Sequence, residues 1–422
     1  MSSSENSARS NHWRVWADRL AASGITIVND ADSGTDMRVL ATELRTKVFA
    51  EVPCEVAMIV SSDTINKSYL SGYVSMAHDL APTYRSAVLA SRDGASLVVS
   101  AADAGPALDL LGDPDLLYRY GVFHFATAAL GPAGFGRPAS TGFEDAFVEA
   151  LRTLRPASGI VGVDRTNDDL VWNLCREMFG DRAVIDVTLD IARARATKTT
   201  GEVARLRTAA RLIENGFRWV IENARAGMTE FDLTAGITGN IVAGGGIPRF
   251  VSVTTGSRSA LADAYPTRRT IAKGEMIRID AGCTVDGYWS DIARTFVFGE
   301  PDARQRRIYE ALRVGLDEEL AAVRAGIAAN ELFGVAVEAV RTNGLPEYRR
   351  QHCGHGIGLR SYDSPLINPT DATPLVEGMC LCLETPYYEL GVDGMMVEDT
   401  VCVTATGHES LMTMPRELFI LP

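Results

Sequence analysis

Met276-Ile277-Arg278-Ile279-Asp280-Ala281-Gly282 is an apolar run carrying one carboxylate, and Gly287-Tyr288-Trp289-Ser290-Asp291-Ile292-Ala293-Arg294-Thr295-Phe296 follows it across the pair Asp286-Gly287. Asp-Gly between two apolar runs is a strong hairpin signal, so the two stretches read as a strand and its antiparallel return. A hairpin sets Asp280 and Asp291 beside each other. Two carboxylates held that close repel strongly unless a cation lies between them.

Further along, Gln351-His352-Cys353-Gly354-His355-Gly356-Ile357-Gly358 carries imidazoles on a glycine-rich stretch, where backbone can approach a ligand closely. Glu384 closes the apolar run that starts at Met379, and Glu398 precedes the apolar run Thr400 to Val403. Acids in strands this apolar need a partner. Four carboxylates and an imidazole suit a pair of divalent cations such as Mn, Co, Fe or Zn. Cys380 and Cys382 alternate in the same run and read as core residues of the strand.

The chain has 422 residues, 46% of them hydrophobic, enough for two domains with their own cores. Lys and Arg number 41 against 54 Asp and Glu, a formal charge of -13 without any long basic run, which argues against nucleic acid as a partner. No apolar stretch is long enough to span a membrane. The 7 cysteines are scattered and odd in number, which fits free thiols in a reducing compartment. The polar, Ser-rich start lacks the features of a signal peptide. These features together predict a cytoplasmic protein.

Residues 1-196 read as an α/β domain. Helical spacing over Trp13 to Ala22 precedes a strand at Ile25 to Val28, and short β-rich runs at Val56 to Val60, Ala87 to Ala90, Ser96 to Val99, Ile160 to Val163 and Ala183 to Val187 alternate with helical stretches at Phe143 to Leu154 and Asp168 to Met178. Gly131 to Gly136 reads as a loop. Thr199-Thr200-Gly201-Glu202 has capping-box spacing and opens a long amphipathic helix with Val203, Leu206, Ala210, Ile213, Phe217 and Ile221 on its buried stripe. Thr229 with Asp232 opens a second helix. Residues 197-422 thus form a second domain, which carries the acids.

The order of Asp280, Asp291, His355, Glu384 and Glu398 resembles that of the pita-bread metallopeptidases, which include prolidase, aminopeptidase P, methionine aminopeptidase and the metal-free creatinase. Gly256-Ser257-Arg258-Ser259-Ala260-Leu261, Ser290 to Thr295, Gly354 to Leu359 and Glu398-Asp399-Thr400-Val401 resemble the family's sequence blocks. The resemblance implies a mixed α/β (α+β) fold: a creatinase-type N-terminal α/β domain, then a pita-bread domain of antiparallel sheet flanked by helices. It also implies a homodimer and two divalent cations, with Asp291 and Glu398 bridging the pair and Glu384 relaying a proton to the leaving nitrogen. The five ligands are complete, unlike those of creatinase.

Three positions depart from the peptidase pattern. Where the family places histidines, this chain has Asp263 and Tyr362, the latter in Tyr362-Asp363-Ser364-Pro365, and the arginine common two residues before the last glutamate is Met396. Tyr362 can still donate a hydrogen bond; ionised Asp263 cannot. The catalytic candidates are Glu384, Tyr362, Asp263 and His352 and the substrate-binding candidates Arg360, Arg294, Tyr288 and Asp363, with Asp263 and Asp363 able to meet a cationic group if the substrate is not a peptide. One reading keeps an Xaa-Pro dipeptidase or aminopeptidase, with Tyr362, His352 and Arg360 replacing the missing donors. The other turns the site to a small molecule, by ring opening of a cyclic amidine as in ectoine hydrolase or, ranked lower, by elimination as in dimethylsulfoniopropionate lyases. Those lyases carry an extra acid at the position of Gly282.

Overall fold

The computed structural model describes residues 36–126, 135–167 and 169–422, so the helix expected over Trp13 to Ala22, the strand at Ile25 to Val28 and residues 131–134 of the glycine-rich loop lie outside the described residues. The described chain forms two compact units, one of residues 36–195 and one of residues 196–422.

The first unit is built on a six-stranded mixed sheet: β1 (Val56–Ser61), β2 (Ala87–Ala90), β3 (Ala95–Ser100), β4 (Leu117–Tyr120), β5 (Ile160–Val163) and β6 (Val184–Asp186), in the order β4-β3-β2-β1-β5-β6. Strands β1 to β3 form an antiparallel meander, while β5 lies parallel to β1 and to β6. The helices Phe143–Thr153 and Asp169–Phe179 cover the sheet with Phe147, Leu151, Val171 and Cys175. Strand β4 was not legible in the sequence, because Leu117-Tyr118-Arg119-Tyr120 is too short to show a period.

The second unit has two antiparallel halves, each backed by a helix pair. In the first half, β7 (Ile247–Thr255), β8 (Met276–Val285) and β9 (Tyr288–Phe298) pair in succession, and β17 (Phe419–Leu421) adds a parallel edge beyond β9. The helices Thr200–Asn223 and Glu230–Ala243 pack on this sheet through Leu206, Ala210, Ile213, Phe217, Leu233 and Ile237, with Val203 and Ile221 only half-buried at the margins of the stripe. Both helices open on capping boxes, Thr199 with Glu202 and Thr229 with Asp232. Each such cap contributes on the order of 1 kcal/mol.

In the second half, β10 (Gly354–Gly356), β11 (Asp363–Leu366), β12 (Cys380–Glu384), β15 (Glu398–Val403) and β16 (His408–Ser410) run in the order β11-β10-β12-β15-β16, beside a small ribbon of β13 (Tyr387–Glu389) and β14 (Asp393–Met395). The helices Ala303–Ala322 and Ala329–Thr342 back it through Leu312, Leu316, Leu332 and Val340. Every helix pair covers the outer face of its sheet. The inner faces are left to meet each other, and they carry the acids.

Arg294 ties the two sheets together. It leaves β9 on the face opposite Asp291, is fully buried, and donates to the backbone carbonyls of Glu398 at 2.6 Å, Pro415 at 3.0 Å and Met414 at 3.1 Å and to the Asp399 carboxylate at 2.7 Å. Replacing Arg294 by Met leaves Asp399 with Arg416 as its remaining cation and strands these carbonyls in a dry interior. The expected loss is about 3 kcal/mol, read as a lower urea midpoint for unfolding; an unchanged midpoint would refute the role.

Candidate metal centre

Asp286 and Gly287 form the two-residue hairpin loop with φ of 50° and 86°, the pair of positive values that a type I′ turn requires. The resulting register puts Ala293 opposite Asp280 and Gly282 opposite Asp291. The two acids are therefore diagonal neighbours on one face of the hairpin. A Cβ on Gly282 would lie 2.2 Å from the Phe250 ring, so any side chain here would have to displace that ring.

The second sheet contributes the rest through its own register. Glu384 on β12 stands directly opposite Glu398 on β15, and His355 on β10 stands opposite Cys382. Like charges paired across two strands destabilise a sheet unless something compensates them. Ligand atoms of Asp280, Asp291 and Glu398 lie within 4.8 Å of one another, as do those of His355, Cys382 and Glu398, so Glu398 belongs to both clusters.

Burial and mutual repulsion push the Asp291 and Glu398 carboxyls well above the usual carboxylate range. Asp280 is pushed up to about 6, first by burial and then by Glu384 and Asp263, with the Arg278 guanidinium working against the rise. Glu398 Oε2 is buried without a hydrogen-bond partner. His355 Nδ1 is 3.0 Å from the Gly356 carbonyl, an arrangement that assigns the proton to Nδ1 and leaves Nε2, 3.9 Å from Asp291 Oδ2, free to donate its lone pair. Burial also lowers the His355 pKa and favours the neutral ring that a metal needs. These donors fit divalent cations.

Glu384 differs from the other acids. Burial would raise its pKa, but His352, whose Nδ1 is 2.9 Å from Oε1, and Arg350, at 3.7 Å, outweigh that and lower it. Tyr362 stacks on His355 with ring centroids 3.7 Å apart. A cavity of about 330 Å³ opens above these groups, walled by Phe250, Asp263, Trp289, Arg350, His352, Tyr362, Tyr388 and Met396 as well as the acids.

Four expected substrate-binding residues do not line this cavity. Arg294 and Tyr288 leave β9 on the face opposite Asp291; Arg294 is fully used as the tie between sheets, and the Tyr288 hydroxyl lies 3.2 Å from Glu202 Oε1. Asp363 pairs with Gly356, one residue out of step with His355, and its carboxylate flanks Gly358 together with the Lys198 amine. Arg360 turns its carbonyl to the Gly358 amide at 3.0 Å and keeps its side chain outside the cavity. Strand parity would have chosen Trp289, two residues before Asp291, over Tyr288. It would also have put Cys382 beside Glu384 on the inner face, which makes it a member of the centre as well as of the strand core. Phe250 and Arg350 gave no signal, since their approach depends on tertiary contacts.

A model of metallopeptidase family M24 matches residues 204–405. An Xaa-Pro dipeptidase from Pyrococcus furiosus is 31% identical over 239 residues, which cover 56% of this chain and 68% of that protein. One from Lactobacillus delbrueckii subsp. lactis is 31% identical over 240 residues, covering 56% of this chain and 65% of that protein. Among solved structures, the X-Pro aminopeptidase of Thermotoga maritima superposes with a TM-score of 0.74 at 23% identity, covering 90% of this chain and 99% of that one. Dipeptidase PepE of Mycobacterium ulcerans gives 0.72 at 25% identity, covering 92% and 99%.

The chain belongs to metallopeptidase family M24 and has its pita-bread fold. It is by class a metal-dependent hydrolase of the peptidase type. Among the described residues, no helix is long and apolar enough to cross a membrane.

A cation that relieves the repulsion among these carboxylates must stabilise the folded chain. Saturating Mn or Co is expected to raise the thermal midpoint of the wild type by several degrees and that of Asp291→Asn by much less. Equal shifts in the two proteins would show that the metal binds elsewhere.

Proposed function

We propose that the chain hydrolyses an amide C–N bond in a small, dipeptide-sized substrate, as an Xaa-Pro dipeptidase-like enzyme. The observation that carries this reading is the convergence of Asp280, Asp291, Glu384 and Glu398 on one cavity of about 330 Å³, with His355 clustered beside Glu398. The names of the relatives support it. Asp280, Asp291 and Glu398 would hold one divalent cation, and Asp291, His355, Glu384 and Glu398 a second, with Mn, Co, Fe and Zn all compatible with the donors. When bound, such ions supply Lewis acidity to a water and to the substrate carbonyl. A homodimer and a cytoplasmic location complete the proposal.

The residues of the chain divide the remaining work. Glu384 accepts a proton from the attacking water and returns it to the leaving nitrogen, its low pKa keeping it ready as the base. His352 orients that carboxylate from 2.9 Å. Tyr362, held flat on His355, offers its hydroxyl as a donor toward charge that develops on the substrate oxygen. Phe250, Trp289 and Met396 give the cavity an apolar wall that limits water.

A second reading, hydrolysis of a non-peptide amide or cyclic amidine, is favoured by one observation. Asp263 is an exposed carboxylate in the cavity wall where peptidases of the family carry a histidine. An elimination reaction is disfavoured, because Phe250 fills the space that an acid at position 282 would need.

Proline dipeptides assayed under Mn, Co and Zn should be turned over, and Glu384→Gln should lower kcat by at least about 100-fold. Turnover of cyclic amidines or N-acyl amino acids without any proline dipeptide would replace the first reading with the second.

A further inference from the structure

The charged groups lining the cavity are Asp263, Asp280, Asp291, Arg350, Glu384 and Glu398. If two divalent cations are held as proposed above, they neutralise the four carboxylates of the centre. The wall then retains one anion, Asp263, and one cation, Arg350. Their positions differ as well as their signs. Asp263 is close enough to Asp280 and Asp291 to act on both, whereas Arg350 stands 3.7 Å from Glu384 on the second sheet.

Arg350 is built to receive an anion. Its side chain is only 10% exposed, and its guanidinium lies over the Tyr388 ring at 5.6 Å, with Arg278 also 5.4 Å from that ring. Tyr388 thus fixes the height of Arg350 in the wall. Arg278 is committed to Asp280 and to the carbonyls of Ser259 and Leu261. Arg350, by contrast, gives one hydrogen bond among the described residues, from Nε to the His352 carbonyl at 3.4 Å. The outer nitrogens keep their donors for a ligand, and a guanidinium presents them in the fork that matches a carboxylate. Met396, which also lines the cavity, has no charge to compete for that carboxylate.

We propose that Arg350 and Asp263 are specificity-determining residues that select a zwitterion, with Arg350 receiving a free carboxylate and Asp263 a cationic nitrogen. This rests on the hydrolytic reading of the site and narrows it. A dipeptide carries both charges at its termini, one on each side of the scissile bond, so the pair favours free dipeptides over longer or blocked peptides. A cyclic amidine bearing a carboxylate has the same two charges.

The test measures binding apart from turnover. Calorimetric titration of the full chain with Glu384→Gln, which suppresses hydrolysis, at saturating Mn and with the bound Mn measured because Glu384 is also a proposed ligand, would use Ala-Pro, Ala-Pro amide, N-acetyl-Ala-Pro and ectoine. At least one zwitterion, Ala-Pro or ectoine, should bind, and if Ala-Pro does, it should bind at least about tenfold more tightly than either blocked form. Adding Arg350→Met should abolish the preference for acid over amide, with Arg350→Lys restoring part of it. Adding Asp263→Asn should abolish the preference for free amine over acetyl. If ectoine is the only zwitterion bound, each single replacement should weaken it by a similar factor. Unchanged preferences in these variants, or no binding of either zwitterion, would overturn the proposal. Binding of Ala-Pro with these preferences but without hydrolysis by the wild type would leave the charge pair standing and remove the dipeptidase reading.

Discussion

The inner faces of two sheets hold four carboxylates, Asp280, Asp291, Glu384 and Glu398, in a space where burial alone disfavours their charge. Everything around them is arranged to keep them there. The two helix pairs seal the outer faces with aliphatic side chains, so the sheets cannot turn the acids outward without exposing a core. Arg294 then locks β9 to the segment that starts at Glu398, using four acceptors on the far side of the same strand that presents Asp291. Repulsion among the acids is thereby stored in the fold and available to bind cations.

Glu384 stands apart within this group. The other three acids repel one another upward in pKa, but His352 and Arg350 hold Glu384 low. A carboxylate that stays ionised beside groups able to orient it suits proton transfer, and its position opposite Glu398 keeps it within reach of the centre. Environment, more than residue type, lets Glu384 serve as base as well as ligand.

Much of the catalytic unit was legible because its signals are local. Asp286-Gly287 fixes the hairpin and its register, the capping boxes at Thr199 and Thr229 mark helix starts, and apolar runs interrupted by Asp280, Glu384 and Glu398 expose residues that need partners. The wall of the cavity was not legible in the same way. Tyr288 beside the hairpin reads as a pocket residue, but Trp289, on the same face of β9 as Asp291, is the one that lines the cavity. Arg360 and Asp363 lie near His355 in sequence, but the irregular pairing between β10 and β11 carries Asp363 to another face. Phe250 and Arg350 reach the cavity from elements whose placement no local pattern reveals. The centre is written in short-range sequence, and the substrate wall in long-range packing.

That division explains why family membership and substrate are separate questions here. The ligands keep the pattern of the M24 peptidases, while Asp263, Tyr362 and Met396 change the wall that faces the substrate. The account depends most on the claim that the five residues form a two-cation centre. Crystals grown with Mn and measured at its absorption edge test it directly. Two anomalous peaks sharing Asp291 and Glu398, one also bounded by Asp280 and the other by His355 and Glu384, are predicted. A single peak, or peaks that leave Glu398 unshared, would contradict the account.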